Sequence, residues 1–128
     1  MVAALVARRE PRRLAAVLTE NVRLCALLPG GPIEAHGREN VAACFTAMFD
    51  GFDTVEVVES AGEHVADRLL LHYRLDVRRA TTRWLCTQTA VCAVVDGHLA
   101  VINLLCSGFR EIEDEENALA PSRARLAS

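Results

Sequence analysis

The chain has 128 residues, a formal net charge of −3 and a composition that is 52% hydrophobic. That length suits one domain with a single core, and the slight acidity excludes a broad electrostatic attraction to nucleic acid or anionic lipid. No apolar run approaches the ~20 residues of a membrane span. Residues 1–10, MVAALVARRE, are too short an apolar stretch for a secretory signal, and their charges follow the stretch rather than precede it, so the expected location is cytoplasmic.

In chain order, Val2, Leu5 and Val6 suggest a short first helix. Pro11 fits the first turn of a second, with Leu14, Val17 and Leu18 on one face. Residues 22–28, VRLCALL, are β-rich and predict a strand. LPGG breaks the chain, and residues 33–36, IEAH, return as a short strand. Gly37 opens GRENVAACFTAMFDGF, in which Val41, Cys44, Phe45, Met48, Phe49 and Phe52 recur at helical spacing, and Gly51 supplies a stop. The rest is strand-like: 54–60, then a long strand over 64–78, then 83–95 and 98–109 joined by Asp96-Gly97. Residues 1–110 are the predicted domain. From Glu111 the sequence EIEDEENALAPSRARLAS has no apolar period and predicts a disordered tail.

The five cysteines, Cys25, Cys44, Cys86, Cys92 and Cys106, are odd in number, form no C-x-x-C and sit in apolar segments. They read as small buried hydrophobes in a reducing compartment. Zinc would need clustered Cys and His at ligand spacing, which the sequence lacks, so no metal and no cofactor are expected.

An Asp-Gly two-residue loop pairs Val95 with His98. Simple alternation then puts Thr87, Thr89, Val91, Ala93 and Val95 on one face with Ile102, Leu104 and Cys106. Gln88, Ala90, Cys92 and Val94 fall on the other, with Val101, Asn103 and Leu105. Both faces are mostly apolar, whereas a sheet with one wet face would alternate. The hairpin is therefore expected to be covered twice, by helices on one side and by a second copy of the sheet on the other.

Helices first, a short hairpin, a Gly-led helix and then long antiparallel strands: this order resembles the NTF2-like superfamily, in particular its SnoaL-like and ketosteroid-isomerase-like branches. The stretches that carry it are LAAVLTENVRL, HGRENVAACFTAMF and VVDGHLAVINLLCSGF. The resemblance implies an α+β cone: a curved sheet wrapped around a long helix, with an internal apolar pocket and commonly a dimer through the outer sheet face. It does not fix an activity, because that fold hosts isomerases, cyclases, dehydratases, epoxide hydrolases and binding modules. Ketosteroid isomerases use an Asp base with a Tyr and a protonated Asp as oxyanion hole. Here NVRLCALL and TQTAVCAVV offer no carboxylate where those acids would be expected, and the first helix has no Tyr, so that constellation is absent.

On this reading the pocket is lined by Phe45, Phe49, Leu71, Leu75, Trp84, Thr87, Thr89, Val91, Ile102, Leu104 and Cys106. Tyr73 shares a face with Leu69, Leu71 and Leu75; its hydroxyl is either an enolate-stabilising donor or a satisfied core group. His36, with Glu34 on its face, is either an acid–base group at the cone mouth or a solvated loop histidine. Cys106 is expected as a pocket-wall thiol. His72, Arg74, Asp76 and Arg78 alternate strictly, which suits a wet outer face or a dimer rim. Gln88, Val101, Asn103 and Leu105 are assigned to a homodimer interface; with the faces reversed, Gln88 and Asn103 would instead be the polar groups of the pocket. The expected function is a small biosynthetic enzyme that cyclises, isomerises or dehydrates an apolar or polyketide-like carbonyl compound by cofactor-free acid–base chemistry. The alternative is a non-catalytic ligand-binding or dimerisation module of the same fold.

Overall fold

The computed structural model describes residues 2–112. Three helices, α1 (Val2–Arg8), α2 (Pro11–Ala15) and α3 (Arg38–Met48), accompany seven strands: β1 (Leu18–Leu28), β2 (Gly31–His36), β3 (Thr54–Val65), β4 (Arg68–Arg79), β5 (Thr82–Val95), β6 (His98–Cys106) and β7 (Arg110–Ile112). The strands form one sheet in the order β2-β1-β6-β5-β4-β3, with β7 added along β5. The sheet is mixed, not wholly antiparallel as the sequence suggested: β1 runs parallel to β6, Leu24 opposite Ile102 and Ala26 opposite Leu104. The architecture is the expected α+β cone, with the helices packed on the concave face.

Turn chemistry sets the strand boundaries. Asp96 and Gly97 both take positive φ, 51° and 78°, as the tight hairpin between β5 and β6 requires. A two-residue loop without a glycine also joins β3 and β4, where Ala66 alone takes positive φ, at 55°, and Val65 pairs with Arg68. Two strands therefore replace the predicted 54–60 and 64–78 segments. Alanine carries no turn signal, which is why this break was not legible. Val17 and Leu18 likewise leave the predicted helix: α2 closes at Ala15 and Leu18 opens β1. Gly37, at φ 93° and ψ 146°, supports the sharp turn into α3 that few other residues could make. Ile112 is buried in β7, so ordered strand continues past residue 110; the rest of the predicted tail lies outside the described residues.

The core is one cluster. Val6, Leu14, Val41, Phe45 and Phe49 from the helical side meet Leu24, Leu75, Val77, Cys86, Ile102 and Leu104 from the sheet. At one end Phe52 packs edge-on to Trp84 and tilted against Phe109, with the Arg79 guanidinium over both the Phe52 and Trp84 rings. Arg9 adds a polar clasp: its guanidinium donates to the carbonyls of Phe49, Phe52 and Asp53, the chain that follows α3.

Candidate functional site: the polar row inside the cone

The hairpin register decides what faces inward. Val95 pairs with His98 and Val94 with Leu99, but Ala93 pairs with Val101, leaving Ala100 as an extra residue on β6. This β-bulge shifts the ladder by one and exchanges the partners of every residue beyond it. Cys106 stands opposite Gln88, not Thr87; Leu104 stands opposite Ala90 and Ile102 opposite Cys92. The expectation that Thr87, Thr89 and Val91 line the interior is thus corrected, as is the placement of Gln88 on the outer face. Gln88 is 0% exposed, whereas Thr89 and Val91 line a cleft on the outside of the sheet.

Three neighbouring strands now place Tyr73, Gln88 and Cys106 side by side, because Tyr73 on β4 is directly opposite Gln88 on β5 and Gln88 directly opposite Cys106 on β6. The Tyr73 hydroxyl donates to Gln88 Oε1. The Gln88 amide donates to Cys106 Sγ at 3.4 Å and Met48 Sδ at 3.5 Å. Cys106 Sγ also receives the Gly108 N–H at 3.5 Å and lies 3.7 Å from Cys86 Sγ. Burial first, and then the neighbouring thiols, push the Tyr73 phenol well above its ordinary range, so it stays protonated and acts as a donor.

Beside this row, among the described residues, the interior is apolar. A cavity of about 10 Å³ remains, enclosed by Val2, Leu14, Leu18, Phe45, Leu71, Tyr73, Ala90, Cys92, Leu99, Ile102 and Leu104. Of the residues expected at the pocket, Phe45, Leu71, Ile102 and Leu104 line this small cavity. Phe49 and Leu75 are fully buried in the core beside the cavity without lining it. Trp84 belongs to the aromatic cluster with Phe52, away from the cavity wall.

His36 is not part of this site. It is exposed on β2, opposite Arg23 of β1, beside a shallow outer-edge depression that also includes Glu34. The row His72, Arg74, Asp76 and Arg78 does face outward, yet it is not uniformly wet. Asp76 is 4% exposed and accepts from Arg83 Nη2 at 2.6 Å, and His72 Nδ1 contacts Thr89 Oγ1 at 2.9 Å. Both groups are tied into the sheet surface.

On the outer face a cleft of about 490 Å³ runs over β2, β1, β6 and β5, lined by Cys25, Leu27, Ile33, Glu34, Thr89, Val91, Asn103 and Leu105. Leu27 and Leu105 are 52% and 56% exposed there. Val101 lies half-buried on the same face. Among the described residues no group of three His, Cys, Asp or Glu side chains could hold a metal ion, and no helix is long and apolar enough to cross a membrane.

Comparison with known proteins agrees with the fold. No protein-family model matches the chain, and no curated protein matches it in sequence. Solved structures do. A hypothetical protein with a ketosteroid isomerase-like fold from Catenulispora acidiphila, in complex with trimethylamine, superposes with a TM-score of 0.68 at 13% identity, covering 82% of this chain and 81% of that one. A candidate polyketide cyclase from Xanthomonas campestris gives 0.63 at 17% identity, covering 81% and 83%. An NTF2-like protein of unknown function from Cytophaga hutchinsonii gives 0.58 at 11% identity, covering 83% of each chain. The chain has the NTF2-like, ketosteroid isomerase-like fold; at these identities the likeness speaks to the fold alone.

Proposed function

We propose that the protein is a cofactor-free enzyme of the isomerase, cyclase or dehydratase type, acting on an apolar or polyketide-like carbonyl compound held inside the cone. The observation that carries this reading is the Tyr73–Gln88 pair: a protonated phenol, backed by a buried carboxamide, lines an interior cavity whose other walls are apolar. A carbonyl oxygen taking Gln88's place as acceptor would receive the Tyr73 hydrogen bond in a water-poor site, where a donor aimed at developing negative charge is most effective. The apolar walls would hold a flexible substrate near its reactive conformation. Solved relatives described as a candidate polyketide cyclase and a ketosteroid isomerase-like protein are in keeping with this class.

A second reading is favoured by a different observation. Among the described residues the cavity beside Tyr73 measures about 10 Å³ and has room for one water at most, so a ligand enters it only if the helical side, including Val2 and Leu14, gives way. A filled cone with an apolar outer cleft suits a non-catalytic dimerisation module. Under both readings we assign the outer cleft, with Val101, Asn103 and Leu105, to a homodimer, since exposed apolar side chains clustered on one sheet face mark an interaction surface. Five free cysteines suit a cytoplasmic, reducing location.

Titration with 2-naphthol, whose naphtholate mimics an enolate, separates the readings. The enzyme reading expects amide and methyl resonance shifts at Leu71, Tyr73 and Leu104, and binding weakened about tenfold or more in Tyr73→Phe through loss of a hydrogen bond to a charged acceptor. Shifts confined to the outer cleft, or none, would establish the non-catalytic reading instead.

A further inference from the structure

Two of the five cysteines meet inside the cone. Cys86 on β5 and Cys106 on β6 hold their sulfurs 3.7 Å apart, at 0% and 5% exposure. They are diagonal cross-strand neighbours, because the direct partner of Cys106 is Gln88, two residues beyond Cys86. β6 ends at Cys106, Ser107 stays tied to Thr87 of β5 through its N–H and its Oγ, Gly108 takes φ 77°, and strand pairing with β5 continues at Arg110.

The surroundings of Cys106 favour a negative sulfur. The Gln88 amide and the Gly108 N–H both donate to it, and the Cys86 thiol is placed to do the same. The Gln88 amide has little choice of orientation. Tyr73 keeps its proton and so binds the carboxamide oxygen, which turns the NH₂ group toward Cys106 and Met48. With the Cys86 hydrogen bond as the main cause and those from Gln88 and Gly108 adding to it, the Cys106 thiol is drawn below its ordinary value against the effect of burial, while Cys86 is driven up and holds its proton. When this pair loses a proton, the hydrogen bonds on Cys106 draw the charge there and Cys86 keeps its hydrogen.

We propose that Cys86 and Cys106 form a dithiol–disulfide couple, in which Cys106 is the thiolate oxidised by a hydroperoxide and Cys86 is the resolving thiol. In the first step the Cys106 sulfur attacks one oxygen of hydrogen peroxide. An S–O bond forms, the O–O bond breaks, and hydroxide leaves; the sulfur is oxidised to a sulfenic acid and the peroxide is reduced. The released hydroxide takes the Cys86 proton and becomes water. The Cys86 thiolate then attacks the Cys106 sulfur, the S–S bond forms, the S–O bond breaks, and the departing hydroxide is protonated by solvent. One peroxide is consumed and two waters are made. Closing the gap requires the sulfurs to approach by roughly 1.7 Å, to the ~2.05 Å of a disulfide. Rotation of the two cysteine side chains, with a small shift of the strand end that carries Cys106, closes that gap, and the oxidant is little larger than water. The couple does not depend on the proposed activity; its effect on that site runs through Gln88, which loses Cys106 and keeps Met48 as a sulfur acceptor when Cys106 turns to Cys86.

The test is mass spectrometry of the intact wild-type chain after brief treatment with hydrogen peroxide, alkylation of remaining thiols and digestion. The expected result is loss of two hydrogens, a linked peptide pair containing Cys86 and Cys106, and reversal by dithiothreitol. In Cys86→Ser, dimedone should trap a sulfenic acid at Cys106 and leave Cys92 unlabelled. Wild-type protein that stays fully reduced under these conditions overturns the proposal. So does a bond that uses Cys25, Cys44 or Cys92, or dimedone labelling of those residues in place of Cys106.

Discussion

Replacing Gln88 by leucine tests the inward register and the polar row together. The substitution removes the acceptor of the Tyr73 hydroxyl in a site with no exposure, leaving a buried donor unpaired. That costs about 1–3 kcal/mol. Tyr73→Phe makes the converse change, stranding the Gln88 oxygen at a similar cost. The double variant removes both polar partners and leaves an apolar interior, which is nearly neutral for such a pair. The expected outcome is that each single change destabilises by about 1–3 kcal/mol, while the double change costs no more than either single change alone. Urea denaturation at constant m reads this directly as midpoint shifts. Strict additivity would refute the hydrogen-bonded pair. A Gln88→Leu effect within about ±0.5 kcal/mol would refute the register itself, since an outward-facing Gln88 should tolerate leucine.

Further outcomes follow from other parts of the structure. Gly108→Ala should destabilise by about 1–3 kcal/mol in thermal melts, because φ 77° disfavours a side chain and the new Cβ would lie 2.7 Å from Pro29 Cγ. Leu105→Lys places a charge in the outer cleft; sedimentation equilibrium should show a folded monomer where the unmodified protein is a dimer, and a wild-type monomer at micromolar concentration would sink the homodimer assignment. Because the Cys106 thiol is lowered to about 6 while burial raises Cys92 to about 11, iodoacetamide labelling of Cys106 should fall as pH drops through about 6 and level off above it, with Cys92 unreactive across neutral pH. A Cys106 profile that still climbs steeply between pH 7 and 9 would contradict its thiolate character.

The parts legible in the sequence are those with local chemical signals. Asp96-Gly97 fixed the hairpin turn, the apolar spacing from Val41 to Phe52 marked α3, and the alternation around Tyr73 put Leu71, Tyr73 and Leu75 inward, as burial shows. The bulge was not legible, because Ala100 differs in no local way from its neighbours and only tertiary packing selects it as the extra residue. A weaker signal could have corrected the faces. Thr87 and Thr89 make one row of β5 hydroxyl-bearing, while Cys86, Ala90 and Cys92 make the other small and apolar, which is the expected composition of a row under a helix. The parallel pairing of β1 with β6 and the meeting of Cys86 with Cys106 join residues far apart in the chain, and no spacing rule reaches that far.

The central claim is that the row Tyr73–Gln88 faces an interior able to receive a carbonyl-like ligand. The measurement closest to it is a crystal structure of the protein grown with 2-naphthol. The expected result is the naphthol oxygen within hydrogen-bond distance of the Tyr73 hydroxyl, Gln88 displaced from that hydroxyl, and the ring among Phe45, Leu71 and Leu104, with α1 moved outward to make room. Naphthol seated only in the outer cleft between Leu27 and Leu105, over an unchanged and filled interior, would contradict it.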